Sequence, residues 1–232
     1  MRSRLTLALD TSTRHGSVAL GRTGGPTLEV LGEDSLEVSA THSETVLPAI
    51  ERLVRTAGCS PANIEAVAVG AGPGSFTGVR IGAALARGIC FPARATLFAY
   101  SSLASIAAGA DVEGAVCALL DARREQVYAA GYVVGPSGLE ERFAPRAGAL
   151  PFLLHELDPS AWTFAGVLSA EQREAIERAG GTLLPAERGR PGGAALLRLV
   201  QWAPSAGRVT RPARWEPEYV RSSSAHRRMD DV

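Results

Sequence analysis

The run Gly72-Pro73-Gly74-Ser75-Phe76-Thr77-Gly78 gathers the residue types that most readily do chemistry with an anion in this 232-residue chain. Glycines ahead of a helix let backbone N–H groups approach a phosphate, and Ser75 and Thr77 could add hydroxyl donors at the positive end of the helix dipole. Asp10 and Thr11, which close an apolar run, could hold a nucleotide or its metal, or could form a turn and nothing more. Two phosphate motifs are excluded. A P-loop needs a lysine before Ser or Thr, and all 24 basic side chains are arginine. A dinucleotide fingerprint needs G-x-G-x-x-G, which Gly72 to Gly78 misses by one residue.

Other reactive groups are scattered. His42 opens a helical pattern and could act as a base, a ligand or a hydrogen-bonding cap. His15, His155 and His226 have no second histidine at helical spacing, so no metal-ligand set is visible. Cys59, Cys90 and Cys117 are odd in number and far apart, which fits reduced, buried side chains rather than a disulfide or zinc site. There is no G-x-S-x-G elbow to present a serine nucleophile.

The glycine pattern has a second reading. Gly78, Gly82 and Ala86 recur every four residues, making a smooth ridge along one helix face with Val79, Ile81 and Ala83 beside it. A glycine inside a helix costs about 1 kcal/mol relative to alanine, so two of them imply a close contact that compensates. Spacing does not say whether the contacting helix belongs to this chain or to another. If it belongs to another, Gly82→Leu should keep the fold and weaken assembly.

The elements that must position these residues follow from period and punctuation. Leu5 to Leu9 is a continuous apolar run ended by Asp10-Thr11-Ser12-Thr13, Ser17 to Leu20 reads as a returning strand, and Leu28 to Val38 contains a third. Thr41 and Glu44 stand in capping-box spacing ahead of apolar Val46, Leu47, Ile50, Leu53 and Val54, with Gly58 as the stop and Pro48 expected to bend the helix. Ala66 to Val69 is a small-residue strand, and the glycine loop leads into a helix over Thr77 to Ile89. Thr96 to Tyr100 is a strand, and Ser101 or Ser102 caps a short helix to Ala108.

The pattern then restarts. A strand from Ala115, a turn at Asp121-Ala122-Arg123 and a second strand ending at Gly135 repeat the arrangement around Asp10. Beyond it, Leu150 to Leu157, Trp162 to Val167 and helices over Ala170 to Ala179 and Ala194 to Trp202 are the recognisable segments. The proline, arginine and serine content from Pro204 on predicts an extended, partly mobile tail. The boundaries expected are a first lobe over 1–101, a smaller second lobe over 102–190, a helix over 191–207 that returns to the first lobe, and a tail over 208–232.

Composition limits the function classes. Hydrophobic residues are 46% and formal net charge is zero, which fits a globular protein not steered as a whole toward nucleic acid. Residues 208–232 hold six arginines against four acids, which allows at most weak, strongly salt-dependent RNA contact. The apolar run before Asp10 is too short for a signal peptide's core, and no segment reaches the roughly twenty apolar residues of a membrane span, so the cytoplasm is the expected location.

"LALDTSTRHGSVAL", "HSETVLPAIERL", "GAGPGSFTGVRIG", "DARREQVYAAGY" and "EPEYVRSSSA", in that order, resemble the bacterial TsaB (YeaZ-like) family, and the resemblance runs over almost the whole chain. It implies an actin-like, sugar-kinase-like (ASKHA) two-lobe α/β fold with a reduced second lobe. It implies a pseudoenzyme: a non-catalytic helper of the metal-bearing TsaD subunit, which forms N6-threonylcarbamoyladenosine at position 37 of tRNAs reading codons that begin with A. A TsaE-type ATPase is the further partner implied, with a homodimer when the chain is alone, and tRNA is met only through the complex. No cofactor is expected on the isolated chain, since ATP or ADP and the metal belong to that assembly.

The catalytic relative carries two metal-binding histidines four residues apart where this chain has Ser102 and Ile106, and neither can replace imidazole. An ATP-using enzyme and a glycoprotease-like peptidase are the rival readings. By resemblance, the pairing surface comprises the helix after the glycine loop and the helix near His42. Its residues would be Phe76, Gly78, Val79, Arg80, Gly82, Ala83, Ala86, His42 and Val46, with Asp10, Thr11, Ser75 and Thr77 as nucleotide or anion contacts.

Overall fold

The computed structural model describes residues 2–37, 43–123, 126–217 and 220. Two five-stranded sheets repeat one plan. The first consists of β1 (Arg4–Asp10), β2 (His15–Thr23), β3 (Glu29–Glu37), β4 (Ala66–Gly70) and β5 (Thr96–Tyr100), in the order β3-β2-β1-β4-β5. The second consists of β6 (Gly114–Arg123), β7 (Gln126–Gly135), β8 (Gly138–Ala149), β9 (Thr163–Val167) and β10 (Thr182–Leu183), in the order β8-β7-β6-β9-β10. In both, the first three strands form an antiparallel meander and the last two add in parallel.

Helices fill the layers that these sheets leave. α1 (Ser43–Thr56) and α2 (Phe76–Ala93) cover the outer face of the first sheet, where Val46, Ile50, Val54, Ala86 and Cys90 meet Leu7, Leu9, Val67 and Val69. α3 (Ser102–Gly109) and α6 (Gly193–Trp202) lie between the sheets, against Ala8, Ala19, Ala66 and Ala68 on one side and Val116, Ala118 and Ala130 on the other. α4 (Leu150–Glu156) and α5 (Ala170–Arg178) close the outer face of the second sheet over Cys117, Leu119 and Phe164. Strand periodicity decides which side chain goes where: successive residues point to opposite faces, so the large Leu7 and Leu9 go outward and the small Ala8 goes inward, where helices must pack closely.

The second lobe is reduced in its helices and in β10, which has two residues. It is not reduced in strands. β8 went unread in the sequence because its pattern is mostly polar and contains Pro145; as the last strand of its sheet it needs neither a second buried face nor every N–H. Asp121-Ala122-Arg123 is not a turn. It continues β6, with Asp121 opposite Val127 and Arg123 opposite Gln126. The start of the tail is not loose either. Phe98 of β5 bridges to Arg208, the Val209 N–H donates to Leu97 O at 2.9 Å, and Val209 and Trp215 pack against the outer core. His42 and the tail arginines Arg221, Arg227 and Arg228 lie outside the described residues.

Candidate functional site

The turn Asp10-Thr11-Ser12 and the loop Gly70 to Gly82 are built around each other. A Cβ on Gly70 would strike the Asp10 carboxylate, one on Gly74 the Ser12 carbonyl, and one on Gly78 the Thr11 carbonyl. On Gly82 it would stand 2.5 Å from Thr11 Oγ1 and 3.6 Å from Val69. Glycine recurs every fourth residue because each helical turn, and each step of the loop before it, passes over the same three-residue turn. Hydrogen bonds fix the fit: Thr11 Oγ1 donates to Gly78 O at 2.7 Å, and the Ser75 N–H donates to Ser12 O at 2.6 Å.

This corrects the partner reading of the ridge. Gly78, Gly82 and Ala86 face the protein's own strand ends, and Val79, Ala83 and Val46 are buried with them. The ridge is an internal packing device. Of the expected interface residues, Phe76 and Arg80 point outward, with Phe76 54% exposed and the Arg80 guanidinium 3.7 Å from the centre of its ring.

The outward face of α2 also carries Ala84, Gly88 and Phe91, which sequence reading missed. Thr77, Arg80, Ala84, Gly88 and Phe91 are exposed along one helical stripe, with no atom within 4 Å of a Cβ built on Gly88. Phe91 is 83% exposed, and Leu47 on α1 is 44% exposed. Gly88 breaks the four-residue register of Gly78 and Gly82, and a phenylalanine one residue past the core-facing Cys90 lies about 100° around the helix from it. Those two departures from the inward pattern were the available signal.

Asp10 is sealed. Its Oδ1 accepts from the Ser12 N–H and its Oδ2 from the Ser102 hydroxyl, each at 2.8 Å, and the residue is 1% exposed. Burial raises its carboxyl above the ordinary value of 3.8, while the bonds from Ser12 and Ser102 pull it the other way. A carboxyl so raised binds its proton more tightly in the folded chain than in the unfolded one. The stability this gives is present in full below the ordinary value and is lost as pH rises through the raised one, so the ionised group is a cost at neutral pH. Asparagine can accept from Ser12 and donate to Ser102 without that charge. Asp10→Asn is therefore expected to raise Tm at pH 7 and to flatten the fall of Tm above pH 4 in scanning calorimetry; a lower Tm at pH 7 would contradict it.

A cleft of about 670 Å³ opens between the lobes beside this turn, lined by Ser12, Thr13, Arg14, Gly74, Ser75, Phe76 and Thr77 from the first and Leu120, Asp121, Tyr128 and Val167 from the second. Of the four expected anion contacts, the structure brings Ser75 and Thr77 to this cleft. The Ser75 side chain accepts from the Gly78 N–H at 3.3 Å as the cap of α2, Thr77 is exposed, and Asp10 and Thr11 are turned into the packed interior. Ser12, which was not singled out, lines the cleft with a buried hydroxyl that has no hydrogen-bond partner among the described residues. Asp121 occupies the place in β6 that Asp10 holds in β1, but it is exposed and accepts from the Gln172 amide at 3.2 Å.

Ser102 and Ile106 share one face of α3 and are both completely buried. Burial pushes the Cys90 thiol up to about 11 and the Cys117 thiol up to about 12. Cys59 is half-buried, not enclosed as expected. His15, at the start of β2, is held below its ordinary value by partial burial and by Arg190 and Arg14 nearby.

Two sheets of one strand order, repeated as tandem lobes with α3 and α6 packed between them, define an actin-like two-lobe protein. Residues 36–148 match the family model of TsaD, tRNA N6-adenosine threonylcarbamoyltransferase. The Escherichia coli tRNA threonylcarbamoyladenosine biosynthesis protein TsaB is 36% identical over 65% of this chain and 64% of its own length. An uncharacterized protein of Mycobacterium tuberculosis is 33% identical over 94% of this chain and 92% of its own. YeaZ from Pseudomonas aeruginosa has a similar structure, with a TM-score of 0.74 and 28% identity, covering 93% of this chain and 99% of that one. In sequence and structure the chain is similar to the TsaB (YeaZ-like) family, and it spans less than two thirds of the length of the TsaB relatives it matches. Among the described residues, no helix is long and apolar enough to cross a membrane.

Proposed function

We propose that this protein is a non-catalytic subunit in the formation of N6-threonylcarbamoyladenosine at position 37 of tRNA, pairing with a TsaD-type transferase and with a second copy of itself when alone. The observation that carries the reading is the outward stripe of α2. Small Ala84 and Gly88 between exposed Phe76 and Phe91 make a surface that another helix can approach closely, with aromatic anchors at both ends. Leu47 on α1 adds apolar surface on the same side of the first sheet. Phe76 and Arg80 keep the interface role that the family resemblance assigns them, and the ridge residues support the helix from beneath.

The non-catalytic part of the reading is supported by what surrounds the reactive groups. Asp10 and Ser102 are spent on each other, an isoleucine stands where an imidazole ligand would be required, and the buried thiols cannot ionise near neutrality. A TsaE-type ATPase would join the assembly, and nucleotide and metal would be held by the partners.

Co-purification with the metal-bearing relative, followed by tRNA modification in vitro with and without this chain, is the test. A stable complex and a strong dependence of modification on this chain are expected; a transferase that works as well without it defeats the proposal. The isolated protein is also expected to contain no stoichiometric iron or zinc and to hydrolyse ATP at background rate. Elemental analysis showing one transition metal per chain would overturn the expectation that the isolated chain is metal-free.

A further inference from the structure

Arg208, Arg211 and Arg214 are spaced every third residue, and no acidic residue occurs between Pro204 and Trp215. Eight arginines elsewhere are tied to carboxylates, as in the pairs Arg2–Glu65, Arg14–Glu37, Arg146–Glu156 and Arg198–Asp111. None of these three forms an ion pair among the described residues, and all are exposed. They line one hollow of about 480 Å³ with Ala99, Thr210 and Trp215, along the outer edge of β5.

The backbone that presents them is fixed. Gly207, ending α7 (Pro204–Gly207), lies directly under the Tyr100 ring, where a Cβ would collide with it, and the Tyr100 hydroxyl donates to Ala203 O at 2.9 Å. Arg208 and Val209 are stitched to β5, and the Trp215 carbonyl accepts from Arg87 Nη1 at 3.4 Å. The fixed segment thus carries guanidinium groups that are charged at every physiological pH, on a protein whose net charge is zero.

We propose that this hollow holds the phosphodiester backbone of the tRNA that the complex modifies, an inference that rests on the function proposed above. Guanidinium forks match phosphate oxygens, and a pre-set backbone reduces the freedom lost on binding. Three cations spread along seven residues suit successive phosphates better than one small anion. The contact carries no base readout, which suits a subunit that positions tRNA for a partner.

The test compares the wild-type complex with TsaD-type subunit against the same complex bearing Arg208→Ala, Arg211→Ala and Arg214→Ala together. Binding of tRNA is followed by fluorescence anisotropy over a range of salt. Each lost phosphate contact lowers the slope of log K against log salt by about 0.7 to 0.9, so the triple variant should lose about 2 units of slope and at least about tenfold in affinity near 0.1 M salt. Circular dichroism and sedimentation should show normal folding and assembly, since all three side chains are exposed.

Unchanged slope and affinity, in a wild-type complex that does modify tRNA, would overturn the arginine surface alone. Loss of assembly in the triple variant would make the hollow a protein contact and overturn it too. Inorganic tripolyphosphate bound by the free subunit as tightly as the complex binds tRNA, through the same arginines, would make it a small-anion pocket. A wild-type complex that neither binds nor modifies tRNA overturns this inference together with the function beneath it.

Discussion

Gly82→Leu is expected to destabilise the folded protein by about 3 kcal/mol or more. Helix propensity alone argues the opposite, because leucine is favoured over glycine by close to 1 kcal/mol in a helix. The position decides otherwise. Gly82 is buried, and even a methyl group there would stand 2.5 Å from Thr11 Oγ1, in a turn whose neighbours Asp10 and Ser12 are hydrogen-bonded on both sides. Overpacking a well-filled core costs about 1 to 3 kcal/mol, and a rigid backbone turn on one side puts this site at or above the upper end. For a chain of this length, that is a fall in Tm of roughly 10 °C or more. Soluble yield and circular dichroism melts give the answer. A variant that melts like the wild type and only fails to assemble would return the ridge to the subunit interface.

The same substitution six residues further along should do the reverse. Gly88 is exposed, with open space where its side chain would begin, so Gly88→Leu should fold at least as well as the wild type and gain up to about 1 kcal/mol of helix stability. If Ala84 and Gly88 admit a partner helix, the leucine holds the two helices apart and removes the dense central contact on which such interfaces depend. A loss of about 2 kcal/mol, close to thirtyfold in Kd, is expected for the homodimer and for the complex with the catalytic subunit, with tRNA modification falling in parallel. Sedimentation of the variant alone and with its partner is the measurement. Undiminished assembly by a folded Gly88→Leu protein would move the interface off this stripe and take the main support from the proposed role.

The sequence by itself determined most of the strands, the order of the elements and the family resemblance. Apolar runs such as Leu5 to Leu9 and Ala66 to Val69 can only be enclosed strands at that length, and turn residues mark their ends, so local pattern was enough. It also showed that the helix after the glycine loop must have something packed closely against it, because glycines inside a helix are unfavourable unless the space they leave is used. What filled that space was decided by tertiary structure. Gly78 and Gly82 lie 68 and 72 positions after Asp10 in the chain, and nothing local says that the turn after β1 comes to rest beneath α2.

The same limit explains the other differences. Asp10 and Asp121 look alike in sequence, yet Gly70 and the Ser102 hydroxyl close over the first, while the second is left exposed at a cleft. Pro145 and a polar pattern argued against a strand that an edge position permits, and the tail became ordered only through pairing with β5. Which face of α2 is free followed last of all. A helix with small residues on two faces has no inward side until a particular strand end arrives to occupy one of them.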